Sequence, residues 1–313
     1  MTTRIAFLLT AAILLAIPAA RADDLLDQVE HGHADSNGVK IHYAAMGEGP
    51  LMVLIHGFPD FWYSWRKQMP ALAEAYKVVA IDQRGYNDSG QPEGQENYSL
   101  DRLAEDVTAV VKHHGAEKAV IVGHDWGGMV AWWTAMFHPE IVDRLIVLNL
   151  PHPKCLSREL VTNPAQQRMS NYARQFQKDG FHEVLNPTFL SMMVSEKDLD
   201  AQPIYEKAFE NSSIEAMLAY YKENFPAEPY QQDPRDMPQI TVPVLQFHGL
   251  ADVALHANGL NNTWDWIDAP WTLVTVPNKG HFVHHEAPEL INENILSWLE
   301  MNRPEAEEAD AAE

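Results

Sequence analysis

Ala119-Val-Ile-Val-Gly-His-Asp-Trp-Gly-Gly-Met-Val-Ala-Trp-Trp-Thr-Ala-Met-Phe-His138 is the stretch from which the fold of this chain is read. Ala119 to Val122 form a continuous apolar run, the pattern of a strand buried on both faces. From Gly127 to Phe137 the apolar positions recur with helical spacing. Between them, Gly123-His124-Asp125-Trp126-Gly127 fits a sharp strand-to-helix turn of the form Gly-x-nucleophile-x-Gly. The flanking glycines are needed because side chains there would strike the neighbouring strand or helix. Such a turn lifts residue 125 above the sheet edge and aims a helix N-terminus at it, whose free N–H groups favour a carboxylate or an oxyanion. The raised residue is an aspartate where esterases and lipases carry serine, and this substitution decides the chemistry.

The flanking sequence repeats the theme. Val39 to Ala45 alternates apolar and polar residues and reads as an exposed edge strand. Leu51 to Ile55 is a buried strand ending in His56-Gly-Phe-Pro-Asp60. Ser64 to Tyr76 reads as an amphipathic helix, Lys77 to Ile81 as a strand, and Leu100 to His114 as a helix ended by Gly115. The strand Leu145 to Leu148 follows the elbow unit. From Pro151 to about Asp236 helical segments run without buried strands between them. Strands resume at Val244 to Phe247 and Trp271 to Val276, and a helix closes the series at Leu290 to Met301. An interrupted strand–helix series of this kind is an α/β fold, a mostly parallel sheet flanked by helices with an inserted α-helical cap. The domain plan is a core of residues 23–150 and 237–303, a cap of residues 151–236, and two terminal segments.

Arg4, the apolar run Ile5 to Ile17 and the small-x-small pattern at Ala20 and Ala22 read as a cleaved secretory signal, residues 1–22. The expectation is an exported protein, periplasmic or secreted, with no membrane attachment after cleavage; a retained anchor is the alternative. Residues 304–313, Pro-Glu-Ala-Glu-Glu-Ala-Asp-Ala-Ala-Glu, lack the apolar side chains needed to fold and read as a disordered acidic tail. The formal net charge of −22 argues against nucleic acid and anionic membranes as partners. Cys155 is the one cysteine, so no internal disulfide forms. The chain is 46% hydrophobic and long enough for one large core with one inserted subdomain.

Ligands of such sheets bind beyond the carboxyl ends of the strands. The residues found there are the His56-Gly-Phe-Pro segment, Asp125, Asn149, Asp252 and His281. Nucleophile, acid and histidine follow one another in the chain order of the α/β-hydrolases. His124, one residue before the nucleophile, points the other way in a strand and reads as structural. His31-Gly-His33 reads as a loop and Trp132-Trp133 as core. No metal site is expected from His281-Phe-Val-His284-His285, for which carboxylate or histidine partners are not evident. No cofactor is expected.

Together, His56-Gly-Phe-Pro, Arg84-Gly-Tyr, Gly123-His-Asp-Trp-Gly and Gly280-His281 resemble an α/β-hydrolase-fold epoxide hydrolase, and the likeness runs from about Val39 to Leu299. Asn149-Leu-Pro-His-Pro, Asn163-Pro and Ser170-Asn-Tyr-Ala-Arg-Gln-Phe-Gln177 resemble the stretch carrying that family's first ring-opening tyrosine, which implies Tyr172. Tyr220-Tyr221-Lys222 resembles the second, which implies Tyr221, with Tyr220 one residue away. Asn87 departs from the family's usual glycine, but asparagine tolerates the left-handed backbone better than most residues.

The resemblance implies that Asp125 attacks a small-molecule epoxide to form an alkyl ester. Water activated by His281 then hydrolyses that ester. Asp252 would orient His281, and the N–H groups of Phe58 and Trp126 would form the oxyanion hole. Tyr172 and Tyr221 would protonate the opening ring. A haloalkane dehalogenase is the nearest alternative; it needs a second halide-binding N–H donor beside Trp126, where Phe58 and the cap tyrosines stand. A fluoroacetate-type dehalogenase would carry an arginine at position 126, and a serine esterase would carry serine at 125. A binding protein on an inactive hydrolase fold is the alternative of a different class.

Overall fold

Asn37 and Gly38 hold φ of 53° and 89°, which turns the chain back in a two-residue hairpin between β1 (Glu30–Ser36) and β2 (Val39–Met46). The computed structural model describes residues 25–195 and 198–303; the expected signal (residues 1–22) and acidic tail (304–313) lie outside the described residues. The expected edge strand at 39–45 is therefore the second strand, and the edge belongs to β1. That strand is hard to see in the sequence because its outward positions are charged or histidine and its inward ones are Gly32, Ala34 and Ser36. His31 and His33 accordingly lie in a strand and not in the expected loop.

Six further strands follow: β3 (Leu51–Ile55), β4 (Lys77–Ile81), β5 (Ala119–His124), β6 (Val142–Leu148), β7 (Val244–Gly249) and β8 (Trp271–Val276). They form one eight-stranded sheet in the order β1-β2-β4-β3-β5-β6-β7-β8. Only β2 runs against its neighbours; β4-β3-β5-β6-β7-β8 pair in parallel. The central strands β3, β5 and β6 are apolar runs buried almost throughout, as strands covered on both faces must be. The chain leaves β3 for β4 on one side and returns to place β5 on the other. That reversal puts a crevice at the carboxyl ends of β3 and β5. Phe58 follows the first and Asp125 the second.

The helix Leu100–His113 begins at the N-cap Ser99 and ends before Gly115, whose φ is 70°. The expected helix at 64–76 is broken. A 3₁₀ turn spans Trp62–Trp65 and a single α-turn spans Met69–Leu72. Pro70 lacks the N–H that would continue the first turn and opens the second, while ahead of both Phe61 N–H donates to Asp60 Oδ1 (2.9 Å) and Trp62 N–H to Asp82 Oδ1 (2.9 Å). The segment between β6 and β7 is helical as expected, with helices at Pro153–Thr162, Pro164–Met169, Asn171–Phe176, Pro187–Ser195, Gln202–Asn211 and Ile214–Asn224. Prolines open three of them, where a missing N–H costs nothing. Among the described residues, no helix is long and apolar enough to cross a membrane.

Arg84, in the turn after β4, fixes the cap to the core. Its guanidinium makes a two-pronged pair with Asp106 (2.7 and 2.6 Å) and donates to the carbonyls of Asn97 and Arg102. Its own carbonyl accepts from the cap hydroxyl of Tyr220 (2.8 Å). Asn87, at φ 42°, donates from Nδ2 to Asp82, so asparagine serves the left-handed turn and adds a bond that glycine cannot. Replacing Arg84 with Met strands the buried Asp106 charge and should cost about 3–5 kcal/mol in urea denaturation. The double variant Arg84→Met/Asp106→Leu should recover a large part of that loss.

Candidate active site

Asp125 sits at φ 52° and ψ −121°, a sparsely populated backbone conformation for a non-glycine residue. The elbow holds it there because the chain has no room for another path. A Cβ on Gly123 would lie 2.1 Å from the Gly127 carbonyl oxygen, and one on Gly127 would lie 2.1 Å from that of Ile55. The helix Trp126–Phe137 starts at once, so the Trp126 N–H has no acceptor within the helix. The Phe58 N–H donates to Asp125 Oδ1 (2.8 Å). Both expected oxyanion-hole amides thus belong to segments that border the carboxylate.

Three strand-end loops bring the expected triad together. His281 Nε2 lies 3.4 Å from Asp125 Oδ2, and His281 Nδ1 lies 2.9 Å from Asp252 Oδ2. Asp252 is saturated with donors. Its Oδ1 accepts from the N–H groups of Ala254 (2.7 Å) and Leu255 (3.0 Å), and its Oδ2 also accepts from Asn149 Nδ2 (2.7 Å). Asn149 additionally donates to the Gly280 carbonyl (3.1 Å), so one side chain spans the acid loop and the histidine loop. Its position at a strand end marks it as a candidate in the sequence; nothing there tells its role. His124 is structural as expected: its Nε2 donates to the His281 carbonyl oxygen (2.9 Å).

The electrostatics follow from this packing. Burial opposes charge on Asp252, but the His281 imidazolium, Asn149 and two backbone N–H groups hold it well below the usual carboxylate range. Burial likewise opposes charge on Asp125, yet His281 and the Phe58 N–H keep it below its ordinary value. His281 is desolvated, which lowers it, but Asp252 and Asp125 outweigh that and raise it to about 10. The resting arrangement is an imidazolium between two carboxylates.

The cap closes over this line with aromatic rings. Tyr221 packs edge-to-face on Phe58 (5.4 Å between ring centres), Trp126 (5.0 Å), Phe176 (5.0 Å) and Tyr172 (6.0 Å). Gln177 ties the two tyrosine-bearing helices, donating to the carbonyls of Tyr221 (3.1 Å) and Phe225 (2.7 Å). Burial, then the charge of Asp125 among others, raises both Tyr172 and Tyr221, so each keeps its phenolic proton. Tyr220 meets Trp126 edge-on (5.9 Å between ring centres) but commits its hydroxyl to the Arg84 carbonyl. The wall formed by Phe176 escapes a reading of the sequence, where a cap phenylalanine carries no distinguishing motif. Beside Trp126 a crevice of about 600 Å³ opens, lined by Met129, Trp133, Leu156, Phe225 and Arg235 among others.

A second cluster of titratable groups lies behind His281. Asp60, His284 and His285 converge to within 4.8 Å, so the carboxylate partner not evident in the sequence comes from the turn after β3. The Ser64 hydroxyl already fills its centre, donating to Asp60 Oδ2 (2.6 Å) and accepting from His284 Nε2 (2.9 Å), while His285 Nε2 donates to the Ser64 carbonyl (2.9 Å). The two histidines are pushed well below their ordinary value by burial, and Asp60 is raised to about 7 by burial. The cluster reads as a hydrogen-bonded plug under the histidine loop.

Residues 50–288 match the family described as alpha/beta hydrolase fold. Epoxide hydrolase 1 of Caenorhabditis elegans is 34% identical over 280 residues, 83% of this chain and 68% of that protein. Human epoxide hydrolase 4 is 32% identical over 303 residues, 90% of this chain and 82% of that protein. Among solved structures, a Bacillus megaterium epoxide hydrolase in complex with an inhibitor superposes with a TM-score of 0.80 at 32% identity, over 86% of this chain and 100% of that one. The fold, the match across most of the chain and these enzyme relatives agree: the chain belongs to the α/β-hydrolase fold family and, within it, to the epoxide hydrolases.

Proposed function

We propose that the chain opens an epoxide to a vicinal diol through an alkyl ester on Asp125. The observation that supports this most directly is the juxtaposition of a carboxylate, not a hydroxyl, at the elbow with His281–Asp252 on one side and two protonated phenols on the other. A carboxylate attacks saturated carbon, which offers no carbonyl to a serine. As the Asp125 oxygen bonds to the ring carbon, the carbon–oxygen bond of the epoxide breaks and the leaving alkoxide takes a proton from Tyr172 or Tyr221.

Ester formation removes the negative charge that raises His281 and both tyrosines. His281 then holds its proton less tightly; that proton is released and, through solvent, restores the phenol. The neutral imidazole next takes a proton from water as that water attacks the Asp125 ester carbonyl. The N–H groups of Phe58 and Trp126 receive the oxyanion. Collapse frees the diol, with the water's second hydrogen on the leaving oxygen, and returns the aspartate beside an imidazolium. Arg4, the run Ile5 to Ile17 and Ala22 support export to the periplasm or medium as the setting of this activity, with no membrane attachment after cleavage.

Three outcomes test the reading. Single turnover in heavy-oxygen water should place label on the Asp125 carboxylate; label confined to the diol would mean direct attack by water. His281→Gln should still alkylate but stall, so an epoxide-sized mass increment accumulates on the intact protein. Tyr172→Phe/Tyr221→Phe should slow alkylation by about 10²–10⁴-fold while leaving ester hydrolysis nearly unchanged. Turnover of haloalkanes with halide release, and of no epoxide, would give the result to the dehalogenase alternative.

A pH dependence follows from the raised histidine. Its folded value of about 10 exceeds its ordinary 6.5, so the folded state holds the proton more tightly. The stability this contributes is fully present below pH 6.5 and is lost as pH rises toward 10. Melting temperature should fall across that window in the wild type, and His281→Gln should flatten the slope.

A further inference from the structure

The segment that follows β3 touches the reacting centre at one end and the histidine loop at the other. Phe58 stands just past the strand, where its N–H reaches Asp125 Oδ1 (2.8 Å). The chain then runs through Asp60 and the 3₁₀ turn Trp62–Trp65 to Gln68, and there it holds the loop that carries His281. The Ser64 hydroxyl donates to Asp60 Oδ2 (2.6 Å) and accepts from His284 Nε2 (2.9 Å), while the Ser64 carbonyl accepts from His285 Nε2 (2.9 Å). Gln68 Nε2 donates to the His284 carbonyl (2.9 Å), and Lys67 Nζ donates to that of His285 (3.0 Å). Ser64 and Gln68 are fully buried, so bulk water does not replace either bond. The His284 ring also meets those of Trp65 (4.9 Å) and His124 (4.4 Å), and His124 donates to the His281 carbonyl.

We infer that Ser64 and Gln68 are positioning residues for the second half of the reaction, holding the His281 loop in register with the Phe58 amide. The inference rests on the two-step reading proposed above. Alkylation asks little of that register, because Asp125 attacks and the cap tyrosines give the proton. Ester hydrolysis needs the base, the attacking water and the oxyanion donor in one geometry. A slack histidine loop leaves the Phe58 N–H on Asp125 and displaces only the base. Asp252 and Asn149 hold that loop from the far end of the sheet, and neither reaches the oxyanion segment.

The tie works through position and not through charge. Burial keeps His284 and His285 neutral, so no second imidazolium stands beside that of His281. Removing the Ser64 hydroxyl leaves a buried His284 N–H and a buried Asp60 oxygen each short of a bond, and the loop has to move to repair this. Removing the Gln68 amide frees the His284 carbonyl from the other side.

The test follows the two half-reactions separately, by rapid mixing with styrene oxide and with 1,2-epoxyhexane and by the mass of the intact protein. Ser64→Ala/Gln68→Met should slow ester hydrolysis by about ten- to a hundredfold and leave alkylation within about twofold. The ester then accumulates, and kcat and KM fall together while kcat/KM holds. Each single variant should show the same split at smaller size, and Ser64→Thr, which keeps the hydroxyl, should restore hydrolysis. A second readout needs no epoxide. The proton on His281 Nδ1, bonded to Asp252 (2.9 Å), gives a downfield NMR signal that His281→Gln lacks, and the double variant should shift or broaden it. Unchanged ester hydrolysis would overturn the assignment, and so would alkylation and hydrolysis slowed equally, the mark of a general loss of packing. If neither epoxide forms an ester on the wild type, the two-step reading fails by itself and the NMR signal decides, an unchanged signal in the double variant overturning the positioning role.

Discussion

A carboxylate held charged beneath a lid of aromatic rings is the constraint on which this structure turns. Asp125 is buried, and burial alone would neutralise it. It stays ionised because the elbow delivers it to the Phe58 N–H and to the imidazolium of His281, which is in turn held by Asp252. The same charge raises His281, Tyr172 and Tyr221. In the proposed reaction, consuming that charge in an ester readies three groups together: the phenols part more easily with a proton, and the histidine becomes free to accept one. A serine at the elbow carries no such charge and would not couple them.

The scaffold serves that arrangement by separating two tasks between neighbouring residues. Tyr220 and Tyr221 are consecutive on one helix and so point about 100° apart. Tyr220 anchors the cap to the Arg84 carbonyl, and its neighbour faces Phe58 and Trp126. The bond that fixes the helix therefore also fixes the phase at which Tyr221 enters the site. On the core side Asn149 plays the corresponding part, joining the loops of Asp252 and Gly280 so that His281 is placed between two carboxylates.

The parts of the molecule legible in the sequence are those that a short pattern controls. Buried strands such as 51–55 and 119–122 announce themselves as unbroken apolar runs, and the residues that end them mark the crevice. Asp125 can be picked out because it follows such a run, and Asp252 and His281 because each follows a shorter or mixed strand-like stretch. The choice of Tyr172 and Tyr221 needs a family resemblance, since a cap tyrosine has no local signature. β1 stays hidden because a strand at the sheet edge can be polar on one face and nearly side-chain-free on the other. The helix expected at 64–76 is broken at Pro70, which has no N–H to continue the first turn and opens the second instead. The meeting of Asp60 with His284 and His285 spans more of the chain than any spacing rule reaches.

The histidines show how far environment, and not residue type, sets the outcome. His56, His124 and His152 are buried, and desolvation pushes each to about 4 or lower. They act as neutral hydrogen-bonding wedges; His56, for example, accepts from the Gln83 N–H (3.0 Å) and so joins the ends of β3 and β4. Two buried histidines go the other way, His281 and His42, and each has an aspartate on Nδ1, at 2.9 and 2.6 Å. One pair is aimed at the carboxylate of the elbow and the other at a second histidine on the sheet edge. An aspartate on Nδ1 fixes the tautomer and makes Nε2 the working atom. What that atom then does is decided by what stands opposite it: beside Asp125 it answers to the charge of a reacting group, and beside His31 it makes a hydrogen bond to a second imidazole at 2.9 Å.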